Sequence, residues 1–137
     1  MDSPAVPAVE LRAVSCARGA ESLREVSASF ARATFHLLGG APGGGRELLL
    51  RVLGALEKPD RGEVFIEGQP TSGLSEEERA ELRGRRCGFV FRAPFLLPAF
   101  SVVENLAMPL FRLSHVDAAE ARCRTDELLE DRGALLE

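Results

Sequence analysis

The sequence is poor in the side chains on which much protein chemistry is built. Its 137 residues contain no tryptophan and no tyrosine, and of 17 basic residues only Lys58 is a lysine. An aromatic cage, a tyrosine stack or a Schiff-base lysine has almost nowhere to sit. The three cysteines, Cys16, Cys87 and Cys123, lie far apart and form no CxxC pair. That excludes a disulfide framework and a structural zinc site and points to a reducing compartment; all three are expected as small buried hydrophobes. His36 and His115 have no second ligand at metal-binding spacing, which excludes an obvious metal centre. No long hydrophobic run is present either. The most apolar stretch, Phe89 to Phe111, contains Arg92, Glu104, Asn105 and the prolines Pro94, Pro98 and Pro109, which does not describe a membrane span. The first residues, MDSPAVPAVE, lack the basic start and apolar run of a signal peptide, and residues 1–8 are expected to be disordered.

What is present describes a globular chain. Apolar residues make up 45% and charged residues 28%, enough for one domain with a core. The net charge of −4 sits entirely beyond Ser114, where Asp117, Glu120, Asp126, Glu127, Glu130, Asp131 and Glu137 outnumber three arginines. The body is balanced, so nucleic acid is not an expected partner. The acidic tail reads as a solvated helix face.

Periodicity supplies the elements. Val9–Val14 and Val26–Phe30 alternate apolar and polar residues as strands do, and the polar stretch Ala17–Ser22 between them suggests a hairpin. Thr34–Leu38 is a third short apolar run, closed by Gly39 and Gly40. Glu47–Glu57 reads as a helix with Leu48, Leu49, Val52, Leu53 and Leu56 on its buried side, stopped by Pro59 and Gly62. Glu63–Glu67 is a further alternating strand. Ser75 followed by Glu78 is a capping box that opens a polar helix through Arg83. Its cluster Arg79, Arg83, Arg85 and Arg86 is answered by Glu76, Glu77, Glu78 and Glu81 at pairing distance along a helix. Gly88–Phe91 reads as a fully buried strand, and Asp117 with Glu120 opens a last helix that runs to about Asp131 before Gly133. Strands alternating with helices predict an α/β architecture with antiparallel strands at the front.

The segment GAPGGGRE carries the most specific chemistry. A phosphate-binding P-loop runs G-x-x-x-x-G-K-[ST] between a strand and a helix, and Gly40 and Gly45 occupy its two glycine positions, with Gly43 and Gly44 between them. Glycines let backbone N–H groups curl around an anion, and the helix N-terminus adds positive potential. Arg46 stands at the lysine position and Glu47 at the hydroxyl position. Arginine keeps the charge but is bulkier than lysine. Glutamate removes the magnesium-ligating hydroxyl and sets a carboxylate beside the phosphates, where each like-charge pair repels by roughly 4 kcal/mol at ~4 Å and an effective dielectric of about 20. A carboxylate there could also ligate magnesium itself.

The stretch RRCGFVFRAPFLLPAFSVVENLAMPLF, Arg85 to Phe111, resembles the region around the Q-loop in ATP-binding subunits of ABC transporters of the lipoprotein-releasing and macrolide-export type. LREVSASF (Leu23–Phe30), LGALEKPDRGEVFIEG (Leu53–Gly68) and LSEEERAELRGRR (Leu74–Arg86) resemble other stretches of that family in the same order. The resemblance spans roughly Val9 to Asp131. It implies a P-loop NTPase-like ABC ATPase core over residues 9–137, truncated, with an N-terminal antiparallel β subdomain and the start of a helical subdomain. It also implies ATP and Mg as cofactors, a membrane permease subunit as partner, and a cytoplasmic location, peripheral at the inner face of the plasma membrane.

Residue by residue the resemblance implies loss. Gly40, Gly43 and Gly45 match the family's binding positions, the Q-loop glutamine falls on Arg92, and the adenine-stacking aromatic falls near Ala17 or Arg18, where a guanidinium would be a weaker substitute. An LSGGQ-type motif, an apolar strand ending in Asp-Glu and a switch histidine do not occur in these residues, and His115 stands too early to be that histidine. The implied function is an ABC ATP-binding subunit with a degenerate P-loop, weak or absent nucleotide binding and no hydrolysis by this chain alone. A non-catalytic module docking on a permease and a decaying gene fragment are the alternatives. Phe95, Leu96, Leu97, Pro98, Phe100 and Val102 read equally as core or as part of the permease-docking groove. Apolar faces such as Gly88–Phe91 without neighbours would imply a partner, self-association or marginal stability.

Overall fold

The computed structural model describes residues 6–113 and 116–131. It divides into two units, 1–87 and 88–137. The first is built on a four-stranded antiparallel sheet in the order β2-β1-β3-β4, with β1 at Val9–Arg18, β2 at Glu21–Phe30, β3 at Arg61–Ile66 and β4 at Gln69–Pro70. The hairpin is tighter than its sequence suggests. Arg18 pairs with Glu21 across a two-residue turn, and Gly19 takes the left-handed φ of 59° that such turns demand at their first central position.

The inner face of this sheet explains its irregularities. Leu11 and Val14 are both buried, yet a spacing of three cannot place two residues on one face of a regular strand. The ladder shifts between them, and Ala13 adopts φ 48° as the extra residue of a bulge. Side chains replace the lost ladder bonds: Ala13 N donates to Ser27 Oγ at 2.9 Å, and Glu25 N, itself at φ 48°, donates to Ser15 Oγ at 3.0 Å. Gly62 passes directly over this bulge. A Cβ built there would lie 2.4 Å from Ala13 O.

Helix α1 (Arg46–Leu53) lays Leu48 and Val52 onto Leu11, Val14, Cys16, Leu23 and Val64. This is the core of the unit. The helix ends earlier than Glu57, because Leu56 N bonds Arg51 O and Ala55 N bonds Val52 O with Ala55 at φ 53°, the two reciprocal bonds of a Schellman stop. Leu56 falls past that stop and is exposed rather than buried. Helix α2 (Glu76–Arg86) has the expected capping box of Ser75 and Glu78 and buries no residue completely. Arg79 bonds Glu76, Arg85 pairs with Glu81 at 2.7 Å, and Arg83 donates to Ala55 O at 2.8 Å. Arg86 pairs instead with Glu67, which also holds Arg32.

The second unit contains α3 (Val102–Leu113) packed on α4 (Ala118–Asp131), with Ala107, Ala121, Thr125 and Leu129 buried. Helix α4 starts as expected, with Glu120 N donating to Asp117 Oδ1 at 2.9 Å. Helix α3 has no counterpart among the elements read from periodicity. Its start is a second capping box, in which Ser101 N donates to Glu104 Oε2 and Glu104 N to Ser101 Oγ.

Several expectations are corrected. Thr34–Leu38 and Gly88–Phe91 form no strand. Phe35 is 91% exposed, Leu37 85%, and Val90 fully. No described strand lies alongside either segment, and a strand cannot form without a ladder partner. Of the cysteines only Cys16 is buried, Cys87 being half-buried and Cys123 exposed. Residues 1–5 of the stretch 1–8 expected to be disordered lie outside the described residues; at its end the Ala8 amide donates to Phe30 O and the Ala8 carbonyl accepts from Glu67 N. His115 and Gly133 lie outside the described residues.

Candidate phosphate-binding loop

The loop Gly39–Gly45 leads from the irregular segment 34–38 into α1. Ala41-Pro42-Gly43-Gly44 is a β-turn: Gly44 N donates to Ala41 O at 3.1 Å, with Pro42 at the second position and Gly43 at φ 74° in the third. Those are the residue preferences of a type II turn. Gly45 then caps α1 in the left-handed conformation, φ 80°. It is buried, and a Cβ there would lie 3.2 Å from Ser22 O and 3.3 Å from Leu23 Cδ2. Only glycine satisfies both the φ and the close approach to β2. The backbone shape of the loop is thus dictated by local sequence.

The first amides of α1 have no intrahelical acceptor and carry the positive end of the helix dipole. Such a cradle fits an anion. The side chains around it fit magnesium-bound phosphates poorly. Arg46 is exposed, and its stem runs back over the loop, with Cγ and Cδ 3.7 Å from where a Cβ on Gly40 would be. Glu47 is exposed in the first turn of the helix, where its carboxylate occupies the favourable end of the dipole that an anion would use. Gly40, Gly43, Gly44, Gly45, Arg46 and Glu47 are therefore brought together on one loop. Arg92 belongs to the second unit and is exposed on an irregular segment.

The end of the hairpin adjoins the loop through Ser22, whose ladder partner is Ala17. Arg18 beside it is held by Glu57 Oε1 at 2.7 Å, Asp60 Oδ1 at 2.9 Å, and the carbonyls of Ala17 and Lys58. Glu57 is also bonded by Arg51. Asp60, then Glu57, raise the guanidinium above its ordinary range. In return Arg18, helped by the amide of Ala17, holds the Asp60 carboxyl below its own. Neither Ala17 nor Arg18 offers an aromatic face. This clamp was not foreseen in the sequence, because its partners stand about forty positions apart.

In the second unit, Asn105 pins the loop before α3. Its Oδ1 accepts from Leu97 N at 2.8 Å, and its Nδ2 donates to the carbonyls of Leu97, Phe100 and Ser101. Beside it lies a cavity of about 380 Å³ lined by Pro94, Phe95, Leu96, Leu97, Met108 and Pro109. Phe95 meets Phe91 edge to face, and Phe91 stacks on Phe89. The apolar run 95–102 is accordingly exposed in large part rather than core. Among the described residues no acidic, histidine or cysteine cluster could hold a metal ion, and no helix is long and apolar enough to cross a membrane.

Comparison with known proteins agrees with this geometry. Residues 23–135 match the family described as ABC transporter. The lipoprotein-releasing system ATP-binding protein LolD of Bordetella pertussis is 44% identical over 111 residues, covering 80% of this chain and 47% of that protein. Its counterpart in Aquifex aeolicus is 36% identical over 116 residues, covering 85% and 51%. An ATP-binding cassette solved as a dimer in a post-hydrolysis state with ADP and Pi superposes with a TM-score of 0.79 at 30% identity, over 89% of this chain and 56% of that one. The chain thus spans about half the length of the curated relatives it matches. An antiparallel sheet feeding a glycine loop and a helix, followed by a helical unit, is the first part of an ABC ATPase core, and the chain belongs to the family of ABC transporter ATP-binding subunits.

Proposed function

We propose that this chain is an ABC-type nucleotide-binding module, partial over residues 9–137, whose degenerate P-loop binds ATP weakly or not at all and which does not hydrolyse ATP by itself. The observation that carries this reading is the pair Arg46 and Glu47 at the mouth of an otherwise well-formed loop. Gly40, Gly43, Gly44 and Gly45 would surround the phosphates, Arg46 would meet them, and Arg92 would stand where a glutamine contacts the metal-bound water. Magnesium, when bound, would neutralise phosphate charge. Glu47 offers no hydroxyl for it and opposes the phosphates. Phosphoryl transfer depends on positioning and charge stabilisation, and the loss of one such element costs orders of magnitude in rate.

The relatives are ATP-binding proteins of a lipoprotein-releasing system. By that likeness the module would sit at the inner face of the plasma membrane and dock on a permease, using the apolar groove of Pro94–Pro109. The test is thermal. A cassette at a thousandfold excess of Mg-ATP over its Kd gains about 4 kcal/mol, several degrees in Tm for a domain of this size. This chain at millimolar Mg-ATP is expected to shift hardly at all, whereas Arg46→Lys with Glu47→Ser should gain a saturable shift without turnover. A saturable shift in the unaltered chain overturns the reading.

A further inference from the structure

We propose that Arg18 is a positioning residue of the phosphate-binding loop: tied to Glu57 and Asp60, it holds the end of the β1–β2 hairpin against Gly45 and so fixes the backbone from which α1 starts. The proposal rests on the reading of that loop as an anion site and adds the residue that sets its geometry. The need for such a residue shows in the sheet. The β1–β3 register ends at Ser15 and Arg61, whereas Cys16, Ala17 and Arg18 pair with Leu23, Ser22 and Glu21 of β2. The hairpin therefore runs past β3 as a two-stranded ribbon, a geometry that is marginal in water without outside support. The ladder is also disrupted on both sides of Val14. Yet the loop leans on the end of this ribbon. Ser22 O and Leu23 Cδ2 come so close to Gly45 that a Cβ there would lie 3.2 and 3.3 Å from them.

The clamp supplies the support that β3 does not. Arg18 Nε donates to Glu57 Oε1 and Nη1 to Asp60 Oδ1. Asp60 also grips the ribbon's backbone: its Oδ2 accepts from Ala17 N at 2.9 Å, and its amide donates to Ser15 O at 2.9 Å. Glu57 is held in turn by Arg51, in the last turn of α1. One network thus ties the hairpin to the C-terminal end of the helix whose N-terminal cap the hairpin touches. A planar guanidinium suits this task, because its donors are already set in one fork. Arg18 and Arg51 balance Glu57 and Asp60 in formal charge, so the clamp acts on an anion at the loop through position rather than attraction.

The test removes the clamp without changing net charge. Arg18→Met with Asp60→Asn deletes one charge of each sign, and the pair is made both in the unaltered chain and in the chain carrying Arg46→Lys and Glu47→Ser. The probe is inorganic tripolyphosphate, which has no base for Arg18 to touch. In the chain with the restored loop its affinity should fall about tenfold, the scale on which loss of a supporting partner weakens a metal site. In the unaltered chain without ligand, the amide resonances of Ser22 and Gly45 should move. Glu63→Gln, which also removes a carboxylate held by hydrogen bonds, should change neither reading. Arg18→Lys keeps an ion pair and should move the same resonances by less; it gives the same reading if the paired variant fails to fold. Unmoved Gly45 resonances, or an affinity that falls equally with Glu63→Gln, overturn the proposal. If the restored loop binds no tripolyphosphate while Gly45 still moves, the anion-site reading fails and the positioning of the loop by Arg18 stands.

Discussion

Strand β1 and the segment Thr34–Leu38 have similar apolar patterns and opposite fates. β1 lies between β2 and β3 with α1 above it, and Leu11, Val14 and Cys16 are buried. Thr34–Leu38 has no described strand beside it, and Phe35 and Leu37 stand in solvent. The difference is not propensity. A strand is a property of a pair, and the pattern of one segment states only which face would be buried if the pair formed.

The sharpest test of that contrast uses two glycines. At Gly62 a Cβ would strike Ala13 O at 2.4 Å and the backbone is at φ 81°, whereas at Gly39 nothing lies within 4 Å. Gly62→Ala should cost on the order of 4 kcal/mol or more, because both the bulge and β3 must move, and Gly39→Ala under about 0.5. Urea unfolding measures both. If the two proved equal, the β1–β3 crossing would be looser than the packing implies.

Next in size is a pair of truncations. Leu48 is completely buried against the sheet, so Leu48→Ala should lose about 2–5 kcal/mol. Phe35→Ala removes a larger ring and should change the stability of the isolated chain by about 0.5 kcal/mol at most. A cost at Phe35 comparable to that at Leu48 would mean that the segment packs on its own unit.

The hairpin, β3, α1, α2 and α4 were legible because their signals are local: alternation, a capping residue, a glycine stop. Helix α3 was legible in principle, since Ser101-x-x-Glu104 is the same capping box as Ser75-x-x-Glu78; the prolines Pro94, Pro98 and Pro109 obscured it. The turn Ala41–Gly44 was likewise readable from Pro-Gly. The Arg18 clamp was not, because its partners stand about forty positions apart, and the apolar pattern of Thr34–Leu38 and Gly88–Phe91 does not reveal that neither pairs with a described strand. The candidate loop divides in the same way. Its glycine backbone is local, and the chemistry of Arg46 and Glu47 is visible as substitution alone.

Asn105 extends the comparison to the second unit, where one side chain substitutes for a ladder. Asn105→Ala removes bonds to Leu97, Phe100 and Ser101 and should free that loop at a cost of about 1–2 kcal/mol. Faster amide exchange at Leu97 and Asn105, with exchange in β1 unchanged, is the expected result. An effect on β1 would show that the two units unfold together.

The smallest effect concerns a carboxylate that holds the backbone just after β4, whereas no described backbone bond holds Thr34–Leu38. Glu63 accepts from the amides of Val64, Thr71 and Ser72 and from the Ser72 hydroxyl. Burial raises its pKa, but the hydrogen bonds from Ser72, Thr71 and Val64 together outweigh burial and hold it below the ordinary 4.5. A carboxyl depressed in the folded state contributes stability that is present above its unfolded pKa and lost as pH falls through the folded one. Unfolding of the native chain and of Glu63→Gln should therefore differ by about 1 kcal/mol at pH 7, and the gap should close progressively below pH 4.5. Other acids held low, such as Asp60 and Glu78, act on both proteins alike and cancel in the difference. A gap that stayed constant from pH 7 to pH 3 would assign the loss to packing, and β4 would then be held by its two ladder pairs with β3 rather than by the Glu63 carboxylate.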